Sequence, residues 1–289
     1  MNNPNLRACY YPTMAVFVDD SEHFLTRINM DLDMQLVCSY FSDPEDALSY
    51  LKKYGRPRAL LQLKTLYQEI DNPNRSSEPS VMVLDYEMPG TSMNGFELSV
   101  KIQDICAEMN IPCPQILMLS GQAGTDLALE GFNKGYINSF ISKKEPQYGR
   151  KVNEQIQILQ RRFLKERSDS LLLALSAQPD FCWNDPQLIP FFTELCKQHR
   201  IVEYYMVSHS GDFLLLQSDG TVLWLVMISD TEREKGEKAV YLPFAQKIEG
   251  ENVRYQYAFV KEPDLVPIQR DKILSFKQYL EHSWPPPLT

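Results

Sequence analysis

The rhythm of apolar and polar positions changes about half-way along this chain. In the first half, short apolar runs recur at residues 14–18, 36–41, 81–84, 115–119 and 137–142. Runs of this kind, with little polar alternation, suit strands buried on both faces of a parallel sheet. Segments of helical period separate them. Phe24, Leu25 and Ile28 follow a start at Ser21-Glu22. Asp43-Pro44-Glu45-Asp46 combines an N-cap acid, proline at the first helical position and acids in the first turn, and Gly55 closes that helix. Residues 96–108 are helical after Gly95 and are broken by Ile111-Pro112-Cys113-Pro114, and 124–134 form a short helix closed by Gly135. Strands alternating with helices predict an α/β domain over 1–149, a doubly wound parallel sheet of five strands. Residues 1–12 read as a loose polar arm. At 56–80 the alternation is interrupted: Leu60, Leu61, Leu63, Leu66 and Ile70 predict an extra inserted helix, followed by a polar loop. That helix is either an elaboration of the domain or a docking element for a partner.

From Glu145 to Leu175 helical residues dominate, and 150–175 read as a helical linker. Val152, Ile156, Leu159 and Phe163 form a heptad-like stripe, either packed within the chain or used as a short dimer seam. The second half then turns β-rich. After Pro179, Asp185-Pro186 starts a helix at 187–199, with Trp183 before it as a candidate staple of the turn. Runs at 202–207, 213–217 and 221–228 follow, the last two joined by Ser218-Asp219-Gly220, a strong hairpin signal. A charged loop at 232–237, a strand at 253–260 and a closing helix at 268–282, with Ile273, Phe276 and Leu280 inward, complete the reading. Residues 176–289 are thus expected to form a smaller α+β domain opening on an antiparallel meander.

Chemistry-bearing residues gather where the strands of the first half end. The run at 81–84 leads straight into Asp85, then a turn at Met88-Pro89-Gly90. The run at 14–18 delivers Asp19-Asp20, the run at 115–119 delivers Ser120, and the run at 137–142 delivers Lys143. In parallel α/β sheets, ligands bind beyond these carboxyl ends. This set and its order resemble the receiver domain of two-component response regulators, over about residues 13–149. The resemblance implies a flavodoxin-like fold, with Asp85 as phospho-acceptor and Asp19 and Asp20 as the acid pair. It makes Ser120 the switch hydroxyl, Lys143 the phosphate-binding lysine and Phe140 the rotating aromatic. It also implies Mg²⁺ held by Asp19, Asp20, Asp85 and the backbone carbonyl of Glu87. The expected phosphodonor is a sensor histidine kinase or a phosphotransfer protein. Two local features depart from the family: Lys144 stands where a proline is usual, and the stretch from Asp85 to Gly95 is long.

Charge narrows the output. There are 12 basic against 19 acidic residues in 1–149, 6 against 2 in 150–167, and 11 against 17 in 168–289. An acidic C-terminal half disfavours DNA as a partner, since DNA binding needs a basic face. Six cysteines without CxxC spacing argue against zinc or a disulfide framework. No apolar run nears the roughly 18 residues of a spanning helix, and no signal-like segment opens the chain, so a cytoplasmic protein without a membrane partner is expected. The leading expectation is a response regulator whose acidic output binds a protein or small ligand, with no enzymatic activity beyond its own phosphorylation and slow dephosphorylation. A homodimer through 150–167 or through the face near Phe140 fits the same pattern. The alternatives are an output that is itself an enzyme, against which His199, His209 and His282 stand isolated, and a phosphorylation-independent pseudo-receiver scaffold.

Overall fold

A computed structural model describes residues 7–34, 36–56, 74–121, 131–177, 181–208, 210–236, 238, 246–248, 255–261, 266–269 and 272–274. The chain divides into two compact units, residues 12–60 with 72–167, and residues 1–11 with 61–71 and 168–289.

The first unit is built on a wholly parallel sheet. Its strands are Met14–Val18 (β2), Val37–Phe41 (β3), Pro79–Asp85 (β4), Gln115–Ser120 (β5) and Ser139–Ser142 (β6), in the spatial order β3-β2-β4-β5-β6. The unbroken apolar runs are explained by two covered faces. Alternate residues of each strand enter separate cores. Val16, Val18, Met82, Leu84, Ile116 and Met118 meet Leu48 and Leu51 of Pro44–Tyr54 (α2) and Leu98 and Ile102 of Gly95–Met109 (α3). Ala15, Phe17, Val81, Val83, Leu117 and Leu119 meet Leu25 and Ile28 of Glu22–Asp31 (α1). This is the doubly wound, flavodoxin-like arrangement expected. The helix starts are also as read: Ser21 caps α1, Asp43 caps α2 ahead of Pro44, and Asn94 with Glu97 forms a capping box on α3.

A single helix, Tyr148–Ser176 (α4), follows the sheet. Its stripe is not free for a second chain. Val152, Ile156 and Leu159 are buried in the α1-side core, and Phe163 is buried as well. A homodimer seam along this stripe of 150–167 is therefore corrected to packing within the chain, because the open face of the sheet takes up Val152, Ile156 and Leu159. The first unit ends on a buried ion pair, Arg167 Nη1 to Glu78 Oε1 at 2.6 Å.

The second unit holds a six-stranded antiparallel sheet in the order β1-β7-β8-β9-β11-β10. These are Cys9–Tyr10 (β1), Ile201–Met206 (β7), Phe213–Gln217 (β8), Val222–Ser229 (β9), Gln246–Lys247 (β10) and Tyr255–Lys261 (β11). Leu188, Phe192 and Leu195 of Leu188–Gln198 (α5) pack on it, with Trp183 donating from Nε1 to the Gly211 carbonyl at 2.7 Å. The Asp219-Gly220 hairpin forms as expected: Gly220 takes φ +87° and Asp219 accepts from the Thr221 amide.

Three expectations fail here. Residues 9–10 are not a loose arm of the first domain but an edge strand of the second sheet, Cys9 opposite Tyr205 and Tyr10 opposite Tyr204. Tyr10 stacks on Tyr204 and Tyr11 on Tyr205, so aromatic pairing fixes a segment that polarity marked as loose. The charged stretch after β9 is not a loop at first but a helix, Asp230–Glu234 (α6), with a Ser229–Glu232 capping box. The closing helix is overturned where it is described: Val266–Gln269 (β12) pairs antiparallel with Lys272–Leu274 (β13). The inserted helix at 58–70, most of the helix at 124–134 and residues 275–289 lie outside the described residues. All six cysteines are free thiols.

Glu78 and Arg167 are each nearly inaccessible, so removing one takes a close counter-charge from a group held out of water. Arg167→Ala is expected to cost about 3–5 kcal/mol in urea unfolding, whereas pairing Arg167→Met with Glu78→Leu restores most of it. Equal losses in the single and double variants would contradict this account.

Candidate functional site

β2, β4, β5 and β6 bring their carboxyl ends to one edge of the sheet, and the sequence-marked side chains converge there. Asp85 ends β4, Ser120 ends β5, Asp19 follows β2 and Lys143 follows β6. Adjacent ends are tied by the backbone: the Asp19 amide donates to Phe41, Tyr86 to Leu119 and Lys143 to the Ser120 carbonyl at 2.8 Å. Carboxylate oxygens of Asp19, Asp20 and Asp85 lie within 4.8 Å of one another. Asp19 and Asp85 are buried and Asp20 is half-buried. The Lys143 ammonium joins two of them, at 2.6 Å from Asp19 Oδ2 and 2.9 Å from Asp85 Oδ1.

Local structure aims these groups. Asp19 Oδ1 also accepts from the Ser21 amide, which locks its carboxylate against the start of α1. The long turn after Asp85 is folded inward by Met88 and Met93, both buried in the α2–α3 core, and Thr91 bonds to the carbonyls of both. Gly90 N–H donates to Asp20 Oδ2 at 3.5 Å. Gly95 must be glycine, since a Cβ there would collide with the Asp85 carbonyl oxygen. Lys144, in the position where the resemblance leads one to expect proline, donates its amide to Ser142 Oγ, a bond proline could not make. Ser120 is buried at the edge of the cluster. Phe140 is half-buried against the α2–α3 core, and Glu87 is exposed two residues beyond Asp85.

One contributor escaped the sequence reading. Phe24, taken only as a core position of α1, lies under the ammonium of Lys143, with Nζ 4.1 Å from the ring centroid. Tyr148 stacks beside it. Phe24 sits in the first turn of the helix that begins directly after Asp19-Asp20, the signal that could have placed it near the strand ends.

Electrostatics at the cluster are unbalanced. Three carboxylates face one lysine, a formal side-chain charge of about −2. Burial pushes the Asp85 carboxyl up from its ordinary 3.8 to about 6; Lys143 opposes that rise, and Asp19 and Asp20 add to it. An all-oxygen donor set with this residual charge fits a hard divalent cation.

Comparison with known structures decides the family. The Legionella pneumophila response regulator LqsR is 30% identical to this chain, with 97% of each chain covered and a TM-score of 0.69. The chain belongs to the response-regulator family. Weaker likenesses reach about half of this regulator. A CheY-like receiver domain protein from Methanospirillum hungatei JF-1 shares 18% identity over 54% of this chain and 98% of its own, with a TM-score of 0.37. An adenylate cyclase from Rhodopirellula baltica shares 22% over 56% and 98%, with a TM-score of 0.42. No family model and no curated protein matches. Among the described residues of the regulator, no helix is long and apolar enough to cross a membrane.

A carboxyl whose folded pKa is raised holds its proton more tightly in the folded state. The stability this gives Asp85 is present below its ordinary 3.8 and is lost as pH rises through about 6. In chelator-treated protein, Asp85→Asn is thus expected to raise Tm at pH 7.5, and the gap should close as pH falls below about 6. Thermal melts across this range, with and without Mg²⁺, check it. A gap that does not change with pH would remove the charge-crowding account.

Proposed function

We propose that this response regulator accepts a phosphoryl group on Asp85 and uses the resulting change to control its C-terminal unit. The observation that carries the reading is the Lys143 ammonium held between Asp19 and Asp85 at the strand ends. Asp19, Asp20 and Asp85, with the backbone carbonyl of Glu87, are the groups that would hold Mg²⁺. When bound, that ion screens the carboxylates and neutralises charge on a transferring phosphoryl group.

The chain's own residues then take distinct parts. A carboxylate oxygen of Asp85 attacks phosphorus as the donor bond breaks, P–N for a phosphohistidine or P–O for a small acyl phosphate, and the donor leaves with that electron pair. Lys143 exchanges one carboxylate partner for a phosphoryl oxygen, remaining a point charge throughout. Ser120 donates a hydrogen bond to the new phosphate, and Phe140 follows by changing its packing. The phosphodonor is a sensor histidine kinase or phosphotransfer protein. The C-terminal unit, with its acidic balance, engages a protein or small ligand rather than DNA.

An enzymatic output has one feature worth weighing. Ser210 Oγ and Lys238 Nζ lie 2.8 Å apart, the contact a serine nucleophile with a lysine base would need. Burial disfavours the ammonium, but Asp212 and Glu232 outweigh it and raise the Lys238 pKa, so the nitrogen keeps its proton and cannot act as base. The pair is better read as a structural ion cluster.

A small acyl phosphate with Mg²⁺ is expected to add one phosphoryl group to the intact mass of the protein. Asp85→Asn should abolish the addition, and Lys143→Ala should slow it on the order of 100-fold. Undiminished labelling of Asp85→Asn would remove Asp85 as the acceptor.

A further inference from the structure

The second unit carries a cavity of about 470 Å³ on the side of the sheet where α5 meets β7. Its walls are apolar: Ile189, Phe192 and Cys196 from α5, and Ile201 and Val202 from β7. Its charged residues all have one sign. Arg7, Lys197 and Arg200 line it, and no acidic residue does among the described residues. That is a local inversion in a region where acids outnumber bases 17 to 11 over residues 168–289.

The cations are poorly spent on the protein itself. Arg7 has no ion pair or hydrogen bond among the described residues. Lys197 reaches Glu194 only at 4.0 Å in a solvent-exposed pair, which is worth little. Arg200, at φ 51° in the turn from α5 into β7, interacts electrostatically with Asp219, a fully exposed carboxylate. Tyr204 adds a hydroxyl with no hydrogen-bond partner among the described residues, and burial raises its pKa so that it stays a neutral donor. Val202 remains 43% exposed on the wall, an apolar surface left to water.

We propose that this cavity binds a small amphiphile with one anionic head, carboxylate or phosphate, and an apolar body. The apolar walls would desolvate the body while Arg7, Lys197 and Arg200 meet the head. The volume lies within the range of small-molecule sites, and Thr193 and Ser218 add hydroxyls to the lining. The cavity lies wholly in the second unit, so the proposal stands whether or not Asp85 is the phospho-acceptor.

The test titrates full-length protein, wild type and Asp85→Asn, with decanoate, decyl phosphate, decanol and inorganic phosphate by calorimetry below micelle formation. Saturable one-to-one binding of decanoate or decyl phosphate is expected, with the tighter of the two identifying the head group. Decanol should bind roughly tenfold more weakly or worse, and inorganic phosphate should not saturate. Arg7→Gln with Arg200→Gln should weaken the anion about fivefold or more and leave decanol unchanged. Val202→Glu, at an exposed position, should do the same by placing a carboxylate on the wall. Decanol binding as tightly as decanoate, no saturable anion binding, or anion affinity untouched by both variants would overturn the proposal.

Discussion

Everything in the first unit answers to the crowding of three carboxylates at one edge of a parallel sheet. Two carboxylates at about 4 Å repel by roughly 4 kcal/mol at an effective dielectric near 20, and here three share one lysine. No side chain would choose this arrangement for stability. It persists because the parallel register leaves Asp19, Asp85 and Lys143 no other place to go. β2 pairs with β4 and β4 with β5, so the ends that carry the charges are adjacent by construction. Burial of Asp85 raises its pKa, Lys143 opposes the rise, and the neighbouring Asp19 and Asp20 add to it, so the carboxylate is responsive to any change in its charge.

The scaffold around this edge is correspondingly rigid. Both faces of the sheet are closed, one by α2 and α3, the other by α1 and the first half of α4. The same helix α4 continues to Ser176, where Leu172 and Leu175 join the core of the second unit. It is not the only segment that passes between units, since residues 7–11 leave the second sheet to begin the first. Among the described residues, a signal proposed to leave the acid cluster therefore has two covalent routes rather than one.

What could be read from the sequence divides along a physical line. Parallel strands covered on both faces leave continuous apolar runs, and the residue after each run is fixed to one edge, so Asp19, Asp85, Ser120 and Lys143 could be placed by position alone. Caps such as Asp43-Pro44 and turns such as Asp219-Gly220 carry their own backbone chemistry and were equally legible. What failed depends on partners far away in the chain. Cys9–Tyr10 becomes a strand because Tyr204 and Tyr205 wait opposite, which no local pattern announces. The stripe on α4 has the same spacing whether it faces a sheet or a second copy, and only the open face of the sheet decides. The helical period seen at 268–282 lost, over its described part, to pairing of β12 with β13.

Two half-buried lysines, Lys143 and Lys238, make similar contacts with different room for a further partner. Lys238 meets Asp212, Glu232, Ser210 Oγ and the Met227 carbonyl, four acceptors for three ammonium protons. Asp212 is fully buried and also accepts from the Met227 amide. Lys238 has no proton left for a further acceptor, and removing an acid from the cluster takes a counter-charge from a group largely held out of water. Lys143 has two carboxylate partners and turns its remaining side to the face of Phe24. A ring face is a weaker and less directional partner than an oxygen, so it holds the ammonium in place without saturating it. An incoming phosphoryl oxygen could take up that spare capacity with little rearrangement of the backbone. The difference between a lysine that can exchange partners and one that cannot lies in whether its third proton faces an aromatic ring or an oxygen.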